Sequence, residues 1–108
     1  MIEVIYDHKN LHLTMDGHAG SDEKGHDLVC AAATVLAYTL AANVTQLCAD
    51  NKRYMCRPMV DLKDGHAEIG CNAMHGMQAV AELIFGSICV GFELLAQRYP
   101  QNIKFHEK

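Results

Sequence analysis

Two residues near the start of the chain, His18 and Cys30, have the types and the spacing that nucleophilic catalysis requires. They stand in the segment GHAGSDEKGHDLVC with eleven residues between them. A cysteine nucleophile needs a thiolate, a base that takes its proton, and hydrogen-bond donors for the oxyanion. His18 can be that base if the intervening loop folds back onto the start of a helix that carries Cys30.

The start of that helix contributes to the chemistry but cannot complete it. Asp27 is a good N-cap residue, which predicts Cys30 in the first turn. The positive end of a helix stabilises an anion by about 0.3–1 kcal/mol, and this leaves most of an ordinary thiol protonated at neutral pH. His18 therefore has to supply the rest, while unpaired N–H groups at the same helix end could form an oxyanion hole.

The same residues also admit simpler roles. A cysteine in a helix is most often a small buried hydrophobe, and a histidine in a glycine-rich loop is most often solvated. Asp27 could cap the helix through its carboxylate, orient His18, or do both. Residue types and spacing alone leave these alternatives open.

A zinc site competes with the catalytic interpretation, because histidine and thiolate are both zinc ligands. The candidate ligands crowd the first third of the chain: His8, His12, His18, His26 and Cys30. His8 and His12, however, flank a turn at the opposite end of a predicted strand from His18. A strand of five or six residues separates its ends by about 17–20 Å, so one four-ligand site would be strained. We expect no bound metal and no cofactor.

Hydrophobic periodicity predicts the elements that must position these residues. Apolar residues alternate in two strands before the loop: Ile2, Val4 and Tyr6, then Leu11, Leu13 and Met15. Spacings of three and four predict helices over about 27–50 and 73–99. Between the helices, Asp64-Gly65 predicts a second hairpin, 53–62 with 66–71, and residues 102–106 offer a last strand. The order β-β-α-β-β-α-β predicts an α/β protein of the α+β type, a two-layer sandwich with two helices packed on one mostly antiparallel sheet.

Several details of this arrangement can be checked. Pro58 predicts an edge strand or a bulge, and Gly86 and Gly91 predict close contact between the helices. Four of the five cysteines, all except Cys30, are expected in the core. The expected inner side of the second helix comprises Met74, Met77, Val80, Ala81, Ile84, Ile88 and Leu95.

Composition excludes several classes of protein. The length of 108 residues predicts a single domain over 1–108. Lys and Arg are scattered in a chain of net charge -4, which argues against direct nucleic-acid binding and suits a basic peptide partner. Five cysteines without a CxxC pair, together with a charged amino end, predict reduced thiols and a cytoplasmic location. Polar residues interrupt both apolar regions, so we expect no membrane span; these residues are Asn43, Gln46, Glu82 and Glu93.

The segments GHAG at 17–20 and GHDLVCAA at 25–32 resemble the ribosomal-processing cysteine protease family, Prp. The motif of that family is a GHA step followed by G-x-D-(I/L)-V-C-A, and both halves occur here at the family's separation. The whole chain is also similar in length and element order, as is the passage Gly70-Cys71-Asn72 before the second helix. The resemblance implies a compact two-layer α/β fold that is usually a homodimer.

By position, the resemblance puts the catalytic histidine on His18 and the nucleophile on Cys30. It puts supporting roles on Asp27 and on Gly17, the glycine before the histidine. Thr34 stands where relatives carry serine four residues after the nucleophile, which keeps the hydroxyl group.

The reaction that the resemblance implies is removal of a short N-terminal extension from a large-subunit ribosomal protein in bacteria. The substrate segment would lie near the glycine-rich loop, whose candidate contacts are Ala19, Gly20, Ser21 and Gly25, and residues 21–24 are expected to move when it binds. Two alternatives are a non-catalytic ribosome-associated binding module and a zinc-binding domain.

Overall fold

Each half of the chain contributes a β-hairpin followed by a long helix, and a last strand completes the sheet. The computed structural model describes residues 1–18 and 26–108, except for the side chains of His26, Asp27 and Cys56. The elements are β1 (Ile2–Asp7), β2 (His12–Gly17), α1 (His26–Asp50), β3 (Met55–Lys63), β4 (His66–Ala73), α2 (Gln78–Arg98) and β5 (Ile103–Glu107). The predicted order β-β-α-β-β-α-β is confirmed.

The five strands form one sheet in the order β3-β4-β2-β1-β5. The pairs β3–β4, β4–β2 and β2–β1 are antiparallel, and only β1 and β5 run parallel. Strand alternation gives the sheet one apolar face, against which both helices pack. The other face is polar and carries His12, Thr14, Asp16, His66 and Glu68. The fold is the predicted open α+β sandwich.

The second hairpin has a tight turn and an irregular outer strand. β3 and β4 are joined by a two-residue turn, in which Gly65 has a φ of 74°. The register slips between Cys56 and Met59, and β3 is the outer strand of the sheet. The prediction from Pro58 of an edge strand with a bulge is confirmed, because proline cannot donate to a neighbouring strand.

Helix α1 packs on β3 and β4 through a face of small and branched residues. The buried positions follow the helical repeat: Val29, Ala33, Ala37, Leu40, Ala41, Val44 and Cys48. Leu28, which precedes Val29, is 59% exposed. Cys48, Cys71 and Cys89 are buried as predicted, while the side chain of Cys56 lies outside the described part of the chain.

Helix α2 begins at Gln78, five residues later than predicted. β4 continues to Ala73, which pairs with Met55, and left-handed backbone at His75 and Gly76 then turns the chain. The predicted inner face was therefore wrong in part: Met74 precedes the helix and Val80 is 41% exposed. The buried face consists of Ala81, Phe85, Ile88, Cys89 and Phe92.

The two glycines of α2 differ in their surroundings. A Cβ atom built on Gly91 would lie 2.6 Å from Leu36 Cδ2 of α1, whereas a Cβ on Gly86 would meet nothing within 4 Å. The predicted close contact between the helices is therefore confirmed at Gly91 and wrong at Gly86.

This difference gives a stability prediction. Alanine is favoured over glycine inside a helix by about 1 kcal/mol, so Gly86→Ala should raise the free energy of unfolding by about that amount. Gly91→Ala should gain less or lose stability, because the Leu36 side chain must move aside. Urea denaturation of the two variants beside the wild type measures both values, and equal gains would contradict the close contact at Gly91.

The outer faces of both helices are also apolar. Both helices are long and apolar enough, by length and composition alone, to cross a membrane, which the sequence analysis did not expect. Helices in protein cores satisfy the same criteria, so the finding is weak by itself. Residues that point away from the sheet on α2 include Leu83, Val90 and Leu94, which are 54–71% exposed.

Candidate active site

His18 and Cys30 line one cavity of about 430 Å³. Four separate parts of the chain form it: the start of β1, the end of β2, the first turns of α1, and the β3–β4 turn with the start of β4. The Cys30 side chain is half-buried, whereas His18 is exposed. The structure therefore brings together the two residues that the sequence analysis put forward as nucleophile and base, in a space open to solvent.

The end of β2 places His18 through glycine backbone. Gly17 has a φ of 104°, a left-handed conformation that glycine adopts without steric cost. A Cβ atom there would lie 2.3 Å from the carbonyl oxygen of Met1. The Met1 nitrogen in turn donates to the His18 carbonyl oxygen. The predicted supporting role of Gly17 thus has a physical basis, because a side chain would push β1 and β2 apart at this point.

The β3–β4 turn lies against His18 from another side. The Gly17 N–H donates to the Gly65 carbonyl oxygen over 2.9 Å. A Cβ atom at Gly65 would come within 2.8 Å of His18 Nε2, so the imidazole ring lies over the glycine. The absence of a side chain at Gly65 is what makes room for the ring.

Helix α1 carries Cys30 deeper than predicted. Because α1 begins at His26, Asp27 lies inside the helix and is not its N-cap, so that prediction was wrong. Cys30 is the fifth helical residue and lies just past the first turn, where its own N–H belongs to the helix ladder. The N–H groups without a helical acceptor belong to residues before Cys30. They are the candidates for an oxyanion hole.

Other predicted site residues fall into two groups. Thr34 lines the cavity one turn after Cys30 and is exposed. Ala19, Gly20, Ser21 and Gly25, together with the side chain of Asp27, lie outside the described part of the chain. Their predicted roles in the substrate loop and in orienting His18 stay predictions.

Sequence reasoning missed the contribution of the β3–β4 turn and of Tyr38. Lys63, Asp64, Gly65 and Tyr38 all line the cavity. The Asp-Gly signal predicted the turn itself but not its neighbours, because pairing of β2 with β4 is a contact between distant parts of the chain. Tyr38 follows Thr34 by four residues, so it lies on the same side of the helix.

Paired histidines and carboxylates cross the polar face of the sheet next to the cavity. His66 Nδ1 contacts Asp16 Oδ1, and His66 Nε2 lies 3.8 Å from Asp61 Oδ2. The hydrogen bond to Asp16, with the nearby charges of Asp16 and Asp61, raises the pKa of His66. The His66 side chain thus links β4 to β2 and β3 next to the cavity.

The raised pKa of His66 predicts a pH dependence of stability. A group whose pKa is higher in the folded state than in the unfolded state contributes its full stabilisation at pH values below the unfolded-state pKa, which is about 6.5 for histidine. The stabilisation is lost as the pH rises through the folded-state pKa. Asp16→Asn should therefore destabilise the protein most near pH 6 and least near pH 9, measured by urea denaturation. A difference that does not vary with pH would contradict the pairing, and Asp64→Asn in the adjacent turn is the control.

Two histidines of the zinc interpretation, His8 and His12, lie beside carboxylates instead. His12 Nε2 lies 2.9 Å from Glu68 Oε2, and His8 lies beside Glu82 on the surface. Among the described side chains, the group whose ligand atoms lie within 4.8 Å of one another is Asp61, His66 and Glu68. Neither Cys30 nor His18 belongs to it.

A protein-family model described as cysteine protease Prp matches residues 1–104. The chain belongs to the Prp family. It is accordingly a cysteine protease, and the family assigned from the GHA and DLVCA segments is confirmed.

Relatives in the Prp family share both sequence and fold. The ribosomal processing cysteine protease Prp of Staphylococcus aureus is 27% identical over 94 residues, which cover 87% of this chain and 83% of that protein. A crystal structure of the S. aureus Prp, described as essential and solved with a covalently linked product peptide, has a TM-score of 0.75 and 27% identity and covers both chains completely. SMU.848 from Streptococcus mutans has a TM-score of 0.66 at 25% identity, covering 98% of this chain and 90% of that one.

Proposed function

We propose that this Prp-family protease removes a short N-terminal extension from a large-subunit ribosomal protein. The observation that carries the proposal is the shared cavity of His18 and Cys30, which stand on the histidine and cysteine of the family motif. The S. aureus relatives are described as ribosomal processing proteases, and one was solved with a product peptide. The net charge of -4 suits a basic substrate such as a ribosomal protein.

In the proposed mechanism, His18 takes the proton of the Cys30 thiol and the thiolate attacks the carbonyl carbon of the scissile peptide. N–H groups that have no acceptor within the helix, at the start of α1, stabilise the oxyanion of the tetrahedral intermediate. His18 then gives the proton to the leaving amine, and the peptide C–N bond breaks to leave an acyl-enzyme. Water, deprotonated by His18, hydrolyses the thioester and restores the thiol.

The cavity suits this assignment of roles. His18 is exposed and lies over Gly65, so its ring can reach a bound substrate. Cys30 is half-buried and lines the same cavity from the helix. Thr34 and the β3–β4 turn offer polar groups to the peptide that lies between them.

The test is incubation of the protein with a candidate ribosomal precursor, read by intact mass. We expect one cleavage that releases the N-terminal extension. Iodoacetamide should also label Cys30 faster than the other four cysteines near neutral pH, measured by peptide mapping. An intact precursor, or equal labelling of all five cysteines, would argue against the proposal.

We further propose that the protein acts in the cytoplasm as a homodimer. The exposed apolar residues of α2 recur at spacings of three, seven and four: Val80, Leu83, Val90 and Leu94. They form one stripe that a second copy can cover with its own stripe about a twofold axis. Leu83→Glu should convert the dimer to a monomer in sedimentation equilibrium, and an unchanged mass would contradict this surface.

A further inference from the structure

A second cavity opens beside the candidate active site, between the second half of α1 and the outer strand β3. This α1–β3 groove has a volume of about 540 Å³ and is lined mainly by apolar groups of Cys48, Ala49, Met55, Pro58 and Val60, with Thr45 and Lys52 as its polar members. Met55 is fully buried at its base, whereas Val60 is 42% exposed at its edge. An apolar side chain of a ligand would cover Val60 and fill the groove.

The α1–β3 groove lies next to the cavity of His18 and Cys30, farther along both α1 and β3. On α1, Tyr38 lines the active-site cavity and Thr45 lines the groove, and seven helical residues span about 10 Å. On β3, Lys63 lines the active-site cavity and Val60 lines the groove, and three strand residues also span about 10 Å. An extended peptide covers this distance with about three residues.

The edge of β3 offers backbone groups along the same path. Lys63 and His66 flank a two-residue turn, so they exchange both hydrogen bonds, and alternate pairs along the register do the same. The N–H and C=O groups of Val60 and Leu62 therefore point to the outer side of β3. Among the described strands, none pairs with β3 on that side.

The protection of this edge is uneven. Open strand edges are commonly blunted by proline and by bulges. Here Pro58, the bulge and the left-handed Arg57 all lie in the half of β3 farther from Cys30. The half that leads to the catalytic cavity, Met59–Lys63, carries regular pairing on its inner side and is left open on the outer side.

We propose that the α1–β3 groove is a substrate subsite, in which an extended segment of the peptide pairs with Met59–Lys63 as a sixth strand. An apolar side chain three or four residues from the scissile bond enters the groove. This inference rests on the proposed peptidase function of His18 and Cys30. It adds that the enzyme selects substrates by main-chain pairing together with one apolar anchor.

The central test compares two exposed valines. Val60→Lys places an additional charge in the groove, whereas Val35→Lys places one on α1 at a residue that is 63% exposed and lines neither cavity. For a peptide that spans the extension, Val60→Lys should lower kcat/KM by about 10- to 100-fold, mainly through KM. Val35→Lys should change kcat/KM by less than about threefold, well below the range expected for loss of a pocket contact.

Two further measurements make the assignment specific. A peptide with Glu at the anchor position should be a poorer substrate of the wild type than the apolar peptide, and Val60→Lys should reduce that difference. N-methylation of a peptide amide that pairs with β3 should weaken binding without changing any side chain. If Val60→Lys lowers the melting temperature substantially, Ala49→Arg fills the groove from the helix wall and replaces it.

Binding to Cys30→Ala protein separates this inference from the proposed function. Fluorescence anisotropy should show that a labelled peptide binds to Cys30→Ala protein. Adding Val60→Lys to that protein should weaken the binding. If the wild type binds the peptide through the groove but does not cleave it, the proposed function is overturned and the subsite is supported. Cleavage and binding that are both unaffected by Val60→Lys and Ala49→Arg would overturn the subsite while the protease remains.

Discussion

Replacing Cys30 by alanine should lower kcat/KM for the precursor peptide by about 10⁴-fold or more, since removal of a nucleophile or its base has effects of that size in hydrolases of this type. His18→Ala should cause a loss of similar size, because the thiol then lacks its base. The double variant should be no worse than either single variant, because the two residues act as one unit. Product formation measured by mass spectrometry under single-turnover conditions gives the three rates.

Two controls make this result interpretable. His75→Ala removes an exposed histidine and Cys71→Ala removes a thiol, and neither residue lines the cavity. Both should cleave the peptide at close to the wild-type rate. In His18→Ala, labelling of Cys30 by iodoacetamide should also slow near neutral pH. Cleavage at the wild-type rate by Cys30→Ala would refute the assignment of the nucleophile.

The second large effect concerns a residue without a side chain. Gly65→Ala should lower turnover by about 10- to 100-fold, because its Cβ would lie 2.8 Å from His18 Nε2 and must displace the ring. The backbone adds a cost of its own, since Gly65 has a φ of 74°. An alanine in such a conformation is destabilised by about 1–2 kcal/mol.

Gly76→Ala separates these two causes. Gly76 has a φ of 86°, but a Cβ there would meet nothing within 4 Å. Both variants should therefore lose similar stability in urea denaturation, while only Gly65→Ala should lose turnover. Equal turnover in the two variants would show that the ring of His18 does not depend on the space above Gly65.

The sequence predicted the order of elements well because each element has a strong local signal. Alternating apolar residues defined β1 and β2, Asp64-Gly65 defined the second hairpin, and Pro58 indicated the edge strand. The faces of the helices were less predictable. α2 carries apolar residues on most of its surface, so periodicity could not tell whether Val80 or Phe85 faces the sheet. The structure buries Phe85 and exposes Val80.

The candidate site was predictable in its chemistry and not in its surroundings. His18 and Cys30 could be named because a local motif contains both. The turn that lies against His18 comes from residues 63–66, almost fifty positions away. Its approach depends on the pairing of His66 with Asp16 across β2 and β4, which no local pattern encodes. The start of α1 was also misplaced, because Asp27 is as acceptable in the first turn of a helix as at its cap.

The hydrogen bond from Gly17 to Gly65 joins the end of the first hairpin to the tip of the second. In folding terms, His18, the proposed base, is held by a contact that forms only after β4 has docked beside β2. A chain whose second hairpin has not yet docked lacks this contact. We therefore expect cleavage activity to appear only once the sheet is complete, so that copies still folding do not cut nearby polypeptides.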